Sequence, residues 1–498
     1  MKRSLPLWAV PTISLLWFLL AGLLLIPCPG LQNDELFFSG PLYFADAAFY
    51  SMQTGASKIP LMVMSYTGAL KTWLYAALFE FLEPNRWSVR VPVILMGMGT
   101  IWMTWLWVRR IAGVRAAAVA TILLATDTIF LMTNTFDWGP VALQHVLLMG
   151  GLLAIQIWLA TDSRRMLALG FFLWGLGLWD KALLSWPLIG LAVASLCVFP
   201  KQTLRRVRPL TLGIALGAFL LGALPLVWYN IQRPGETATA NAQFTTAGLA
   251  DKAMALRQTI DGSTLFGYMV YKNPAPNPRA PRTGLERLSV GIASIAGDHR
   301  RNWMLPAWIL SLLCMAGLWR STAWRALVFL LLVCLIEWVQ MVFNKGTGGA
   351  SHHVILMWPF PVVFVGVAFS AASRLLPRFG LPVLAGLTAV LALGNVLTTN
   401  EYFSEFTVNG GAGGWTDAIY PLANSVEKNS ASWIGLVDWG YLNQLRMLHE
   451  GDLPLFLPPI PPAGAQPSEA ERAELKEAIS DSTRLFIQHT DDKQMFPG

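Results

Sequence analysis

Charge is scarce in this chain of 498 residues: 13% of them are Asp, Glu, Lys or Arg, against about 25% in a soluble domain. Cysteine is scarcer still. The four present, Cys28, Cys197, Cys314 and Cys334, are scattered, and they show neither metal-ligand spacing nor a disulfide framework. No internal repeat and no low-complexity tract occurs. "NKGTGGASHH" is rich in glycine and has backbone to wrap an anion, but it lacks the spacing of a P-loop. These absences exclude a soluble enzyme, a disulfide-stapled secreted domain and a solenoid.

What the chain has instead is apolar length. Hydrophobic residues make up 54% of it and its mean hydropathy is +0.49. The excess comes in blocks close to the roughly 20 residues that cross a bilayer as a helix. Inside lipid the backbone must satisfy its own hydrogen bonds, so such blocks are helices. The net charge of +7 does not point to nucleic acid, because the basic residues sit in short clusters between apolar blocks. Lys2-Arg3, Arg109-Arg110, Arg164-Arg165, Arg205-Arg206 and Arg374 with Arg378 follow the positive-inside pattern.

Placing those clusters inside predicts an all-α polytopic membrane protein of about eleven spans. They fall near 7–27, 88–108, 116–133, 140–160, 166–179, 184–199, 210–230, 303–319, 325–343, 354–373 and 380–398. The fifth and sixth are short enough to form one re-entrant pair. The first reads as an uncleaved span, being long for a signal peptide and lacking a small-x-small cleavage site. The N-terminus is then cytoplasmic and the C-terminus outside. Residues 1–398 form the transmembrane domain, with external loops at 28–87 and 231–302, and residues 399–498 form an extracytoplasmic tail.

In the first loop "TWLYAALFEFLEP" is too short to span and reads as an interfacial helix, with Trp73 and Tyr75 at headgroup level. In the second loop "KNPAPNPRAPRTG" reads as extended. In the tail, "ASWIGLVDWGYL" is compatible with a strand. "SEAERAELKEAISDS" reads as a helix with Leu475 and Ile479 on one face. The tail is accordingly a small α/β region.

Acids beside hydrocarbon are costly, which draws attention to Asp34 and Glu35 in "GLQNDELFF", just past the first span, and to Asp137 in the short "NTFDWGP" loop. Each has a plain alternative as a solvated or helix-capping residue. Together they offer a general base with an orienting partner, or enough ligands for a divalent metal. Basic residues that escape positive-inside sorting are Lys71, Arg90, Lys181 and Lys345, joined by His352 and His353. A phosphate at the outer surface needs such a set, although each alone is also a snorkelling or interface residue. Glu337, with Gln340 one turn on, is the mid-span acid and reads as structurally paired.

The order of these motifs resembles the GT-C membrane glycosyltransferases of family 39, the group of protein O-mannosyltransferases and lipid A aminoarabinose transferases. The residues that carry it are "QNDELFF", "GALKTWLYA", "VRVP", "NTFDWG", "WDKALLSWP" and "SHHVILMWPFP". The similarity is good over about residues 5–200 and loose over 325–375. "KTWLY" lacks the family's prolines after the lysine, "WDKA" lacks its Thr and Gly, and Asp46 rivals Asp34 as the first acid. The resemblance implies an inverting transfer from a polyprenyl-phosphate sugar to a hydroxyl of a lipid, protein or glycan, at the outer face of an inner (plasma) membrane. Asp34 would be the base and Glu35 or Asp137 would orient. Lys71, Arg90, Lys181, Lys345 and His352 or His353 would hold the phosphate. A transporter or flippase of lipid-linked sugars is the alternative.

Overall fold

A computed structural model describes residues 8–273, 277–429, 431–457 and 468–490, apart from the side chains of 474, 475 and 478. A helix lies at every one of the eleven apolar segments. Arg86–Ala112, Val141–Thr161, Trp324–Val342 and Gly380–Asn409 are each long and apolar enough to cross a membrane alone. Three further segments are broken and bent: Ala182–Val198 with Pro200–Arg206, Pro209–Gly222 with Leu224–Gln232, and Ser351–Met357 with Phe360–Ser373. Ala9–Leu25, Val114–Thr126 and Met304–Gly317 are shorter apolar helices. Arg164–Asp180 stands as its own helix between Val141–Thr161 and Pro209–Gly222, while Ser185–Val198 packs on Trp324–Val342. These two are therefore not one re-entrant pair.

Lipid tails are as apolar as leucine, so helices in a bilayer associate through close backbone approach and shared polar contacts. Both are present. A β-carbon on Gly175 would lie 2.2 Å from Phe219 O, and one on Gly222 would lie 2.3 Å from Phe172 O. These two glycines let Arg164–Asp180 and Pro209–Gly222 touch backbone to backbone. Phe360–Ser373 is buried on nearly all sides, against Val114–Thr126, Met304–Gly317, Trp324–Val342 and Gly380–Asn409.

The third span breaks at Asp127, an acid in the apolar interior. Its carboxylate caps Thr128–Thr133 by accepting from Phe130 N (2.8 Å), and it also accepts from Trp358 Nε1 (3.2 Å). Thr128 donates to Asn395 O and Thr399 donates to Thr128, tying this break to the last long helix. Glu337 departs from expectation: Gln340 turns to Trp186 O and Ile336 O, and neither Glu337 oxygen has a hydrogen-bond partner among the described residues.

The loop between the first two spans contains a sheet that composition does not announce. Tyr50–Thr54, Ser57–Met64 and Thr67–Gly68 pair antiparallel in that order, turning at Gly55 with φ +61°. Leu61 and Met62 pack on Trp179, Leu226 and Tyr229, and Trp179 Nε1 donates to Leu61 O (2.9 Å). A β-carbon on Gly68 would lie 2.1 Å from Trp179 O, so only glycine lets this strand press against the end of Arg164–Asp180. Leu70–Phe79 follows as a helix. Trp73 is 40% exposed as an interfacial residue requires, but Tyr75 is buried, stacked on Phe79.

The second loop is more helical than its prolines suggest, with helices at Glu236–Asn241, Leu249–Ile260 and Gly284–Ala296. Residues 277–283 have no helix or strand, as expected, and residues 274–276 of the proline-rich stretch lie outside the described residues. The last long helix runs to Asn409, past 398. Beyond it the tail has a parallel sheet with Trp433–Leu436 between Leu455–Phe456 and Arg484–Ile487. The expected helix forms at Glu469–Ser480 from a Ser468–Glu471 capping box, but Ile479 is 69% exposed and the Leu475 side chain lies outside the described residues.

Two glycines of one helix provide a test. Gly222→Leu forces Pro209–Gly222 away from Arg164–Asp180, whereas Gly213→Leu projects into open space. Thermal unfolding in detergent should show a clear loss of Tm for the first and none for the second.

Candidate active site

Helix Arg86–Ala112 begins at a capping box: Asn85 Oδ1 accepts from Trp87 N and Ser88 N, and Ser88 Oγ accepts from Asn85 N. Its first turns thus fixed, Arg90 lies fully buried under the loop that follows the first span. Nε and Nη2 donate to the two oxygens of Glu35 (2.8 and 2.9 Å). Nη1 donates to Ile26 O and Pro29 O, and Nη2 also to Gly30 O. A guanidinium has five N–H donors, and all five are used. Arg90 has none left for a phosphate, and Glu35, at 0% exposure, is committed to holding Arg90.

The second buried pair joins Lys71 to Asp137. Lys71 Nζ donates to Asp137 Oδ2 (2.9 Å) and Asp137 O (3.3 Å), enclosed by the rings of Phe38 and Tyr75 at 5.0 and 5.5 Å. Burial alone would pull the ammonium down, but Asp137 outweighs it and holds Lys71 above its ordinary range. The other oxygen of Asp137 accepts from Val141 N (2.7 Å), capping the next helix. The capping alternative for Asp137 is therefore met together with ion pairing.

Asp34 differs from both. It is half-buried and has no cation partner among the described residues. Gln32 Oε1 accepts from the Asp34 and Glu35 amides (2.5 and 3.1 Å), shaping the turn. Burial raises the Asp34 carboxyl above its ordinary 3.8, opposed by hydrogen bonds from the Gln32 and Asn33 side chains. Burial raises the Tyr66 and Tyr268 hydroxyls above their ordinary range, and the Asp34 charge adds to it. Tyr268 belongs to an aromatic wall with Trp138 (5.7 Å) and Trp415 (6.1 Å).

Lys181 is the cationic counterpart. It is 2% exposed, lies in the turn after Arg164–Asp180, and has no carboxylate within ion-pair distance among the described residues. Burial brings its ammonium down to about 8, against the pull of Asp137 and Asp180. It is tied to two neighbouring segments. Backbone bridges link Thr67 to Lys181, and Ala182 N donates to Tyr66 O (2.8 Å). A β-carbon on Gly139 would lie 3.4 Å from Lys181 Nζ and 3.5 Å from His352. Trp138 Nε1 donates to His352 Nδ1 (3.1 Å), which leaves the neutral ring's proton on Nε2 as a donor.

The remaining candidates sit apart. Lys345 is exposed, in a turn whose amide bonds Gln243 O, and its side chain makes no ion pair among the described residues. His353 lies tilted against His352 with ring centroids 4.2 Å apart, and both its ring nitrogens lack hydrogen-bond partners among the described residues. Asp46 forms an exposed ion pair with Lys58 on the sheet, away from the buried set. With Glu35 and Asp137 held by cations, the three acids do not converge as a metal site, and no other group of three potential ligands occurs among the described residues.

Sequence reasoning passed over Asp180 and the aromatic wall. Asp180 is fully buried beside the Lys71–Asp137 pair and accepts from Gln144 Nε2 (2.8 Å). Its position next to Lys181 in "WDKALL" was the available signal. Tyr66, Tyr268 and Trp415 come from long loops and carried none.

Residues 68–229 match the family model described as dolichyl-phosphate-mannose-protein mannosyltransferase. Among solved structures, ArnT from Cupriavidus metallidurans bound to undecaprenyl phosphate superposes with a TM-score of 0.55 at 13% identity, over 96% of this chain and 88% of that one. The apo state of the same ArnT gives 0.52 at 14% identity, over 90% and 84%. No curated protein sequence matches. The chain is an integral membrane protein with the GT-C fold.

Removing one partner of a buried bonded pair costs about 3–5 kcal/mol. Arg90→Met should lower unfolding free energy in a denaturant titration by that amount, and Lys345→Ala should leave it unchanged.

Proposed function

We propose that this protein is an inverting glycosyltransferase that moves a sugar from a polyprenyl-phosphate donor to a hydroxyl acceptor at the outer face of the membrane. One observation carries the reading. Of the three acids Asp34, Glu35 and Asp137, Asp34 alone is left without a cation among the described residues, and the buried Lys181 is left without an acid, in a structure that pairs Glu35 with Arg90 and Asp137 with Lys71. A free base and a free ammonium suit the two ends of such a transfer, an acceptor hydroxyl and a leaving phosphate. The family match over residues 68–229 supports the class of reaction, and the undecaprenyl phosphate in the similar ArnT structure supports a lipid-phosphate donor.

In this mechanism Asp34 takes the acceptor hydroxyl's proton as its oxygen attacks the anomeric carbon. The bond from that carbon to the phosphate oxygen breaks on the opposite side, so configuration inverts. Lys181 and the Nε2–H of His352 stabilise the charge that develops on the departing lipid phosphate. The Lys71–Asp137 pair fixes the helix start at Val141 and, with Gly139, the spacing between Lys181 and His352. The acceptor is a hydroxyl of a lipid, protein or glycan.

The decisive experiment is mass spectrometry of polyprenyl-phosphate lipids in a deletion strain complemented with wild type, Asp34→Asn or Asp137→Asn at equal membrane levels. One polyprenyl-phosphate sugar should build up in the deletion strain and in the Asp34→Asn strain, where general-base loss slows transfer by about 10²–10⁴-fold. An unchanged lipid profile overturns the reading. Because Asp34 must be ionised and its carboxyl is raised above 3.8, the acid limb of the rate profile should lie above an ordinary aspartate's.

Lys181 gives an independent test with the opposite sign. Its ammonium is present below about pH 8 and is lost above it. Binding of undecaprenyl phosphate to the purified protein should therefore weaken as pH rises through that value. Lys181→Gln should bind about tenfold more weakly below it and lose that dependence.

A further inference from the structure

Three turns at one end of the helix bundle carry seven arginines, no lysine and no acid. Arg109, Arg110 and Arg115 lie around the turn from Arg86–Ala112 to Val114–Thr126, and Arg320 and Arg325 around the turn from Met304–Gly317 to Trp324–Val342. Arg374 and Arg378 lie in the turn from Phe360–Ser373 to Gly380–Asn409. The first and third turns touch, since a β-carbon on Gly113 would lie 3.6 Å from Arg374 Nη2. None of the seven has a carboxylate within ion-pair distance among the described residues. An apolar groove runs between the helices of the second and third turns, lined by Leu310 and Cys314, by Phe369 and Ala372, and by Val383 and Leu387. Leu376 and Ser373, next to Arg374, line it too. Ile309, Leu313 and Val390 on the same helices are exposed, as on a face turned to hydrocarbon.

We propose that this groove binds an anionic diacyl phospholipid, with an acyl chain between the helices and the phosphodiester on Arg320, Arg374 and Arg378. Charge complementarity selects the occupant. Positive-inside sorting accounts for basic residues in short turns, but it counts lysine and arginine alike, and here all seven are arginine. The planar guanidinium matches phosphate oxygens with two parallel hydrogen bonds and sheds its water more easily than an ammonium. Basic pockets between spans take anionic headgroups on this principle. A free phosphate would leave the apolar groove uncovered, and a zwitterionic lipid would bring its own cation against the arginines. The third turn is built to hold its two charges in place. A β-carbon on Gly380 would collide with Ser373 O, so the two helices close tightly and keep Arg374 and Arg378 beside the groove. Around them Leu375, Leu376 and Phe379 are exposed, and Arg320 lies over Trp319 (4.3 Å), a mixture of apolar and cationic groups that suits the interface.

The test is native mass spectrometry of the full-length protein released from micelles that contain equal amounts of dioleoyl phosphatidylglycerol and dioleoyl phosphatidylcholine, whose adducts differ in mass. The protein should retain phosphatidylglycerol in preference. Each arginine replaced should weaken that preference about fivefold, so Arg320→Gln, Arg374→Gln and Arg378→Gln combined should abolish it. Lys201→Gln with Arg205→Gln, an exposed basic pair on Pro200–Arg206, which does not line the groove, should leave it unchanged. Ala372→Leu fills the groove and keeps every arginine, so it should lower retention of both lipids; Leu387→Trp takes its place if that variant does not fold. Equal retention of the two lipids by the wild type, a wild-type preference in the triple arginine variant, or undiminished retention in the filled groove overturns the proposal. Displacement of phosphatidylglycerol by an equal amount of undecaprenyl phosphate overturns the assignment to a diacyl lipid. None of these substitutions touches Asp34 or Lys181, so each outcome leaves the transferase reading standing.

Discussion

Burying a charge next to hydrocarbon is the constraint on which the site depends. An isolated ion taken from water costs several kcal/mol even after relaxation, and that cost is offset only by a close counter-ion with its remaining hydrogen bonds satisfied. The chain meets this demand twice in full. Arg90 spends every donor on Glu35 and on three carbonyls of one loop. Lys71 spends its own on Asp137 between two aromatic faces. Such pairs add little net stability, but they fix geometry, because no other arrangement satisfies both members. The groups left over are informative for the same reason. Asp34 and Lys181 are left without an ion-pair partner among the described residues, where Glu35 and Asp137 each have one.

Around these charges the fold solves a second problem, that loops outside a membrane have no ladder to hold them. The loop after the first span is pinned from below by Arg90 and from above by the tail helix carrying Asn443 and Gln444. The strand at Thr67–Gly68 is pinned by close approach to Trp179, which glycine permits. Sheet, tail and span ends therefore meet at one place. That convergence brings Trp138, Tyr268 and Trp415 into one aromatic wall and sets Lys181 and His352 on either side of Gly139.

Much of this was legible in the sequence, and the limits have physical causes. Each apolar segment became a helix because length and lipid leave no other backbone solution, and basic clusters mark the segment ends. The α/β character of the tail followed from a short apolar run and a helical stretch with its acidic residues early. The sheet at 50–68 was not legible, since "SKIPLMVM" reads equally as apolar loop, and its register depends on Trp179 more than a hundred residues on. Charged side chains were found by rarity, but rarity does not distinguish a staple from a reactive group. Arg90 and Lys181 look alike in sequence, and only counting the donors each has already used separates them. Asp180 was overlooked although it adjoins Lys181, because attention to cations outside the membrane passed over the acid beside one.

The distribution of the remaining buried acids bears on the transport alternative. A carrier for a lipid-linked sugar needs ionisable groups linked through the middle of the bilayer, with partners that exchange as access alternates. Here Asp127 is spent on a helix cap and an indole, two static bonds inside a packed core. Glu337 has no hydrogen-bond partner on either oxygen among the described residues and stands on a helix whose nearby Gln340 turns to backbone carbonyls instead. His145 bonds Ile355 O and tilts on Phe130. None of these bonds another of them among the described residues. Asp34 and Lys181, without an ion-pair partner among the described residues, lie instead in the loop after Ala9–Leu25 and in the turn after Arg164–Asp180, at the ends of helices.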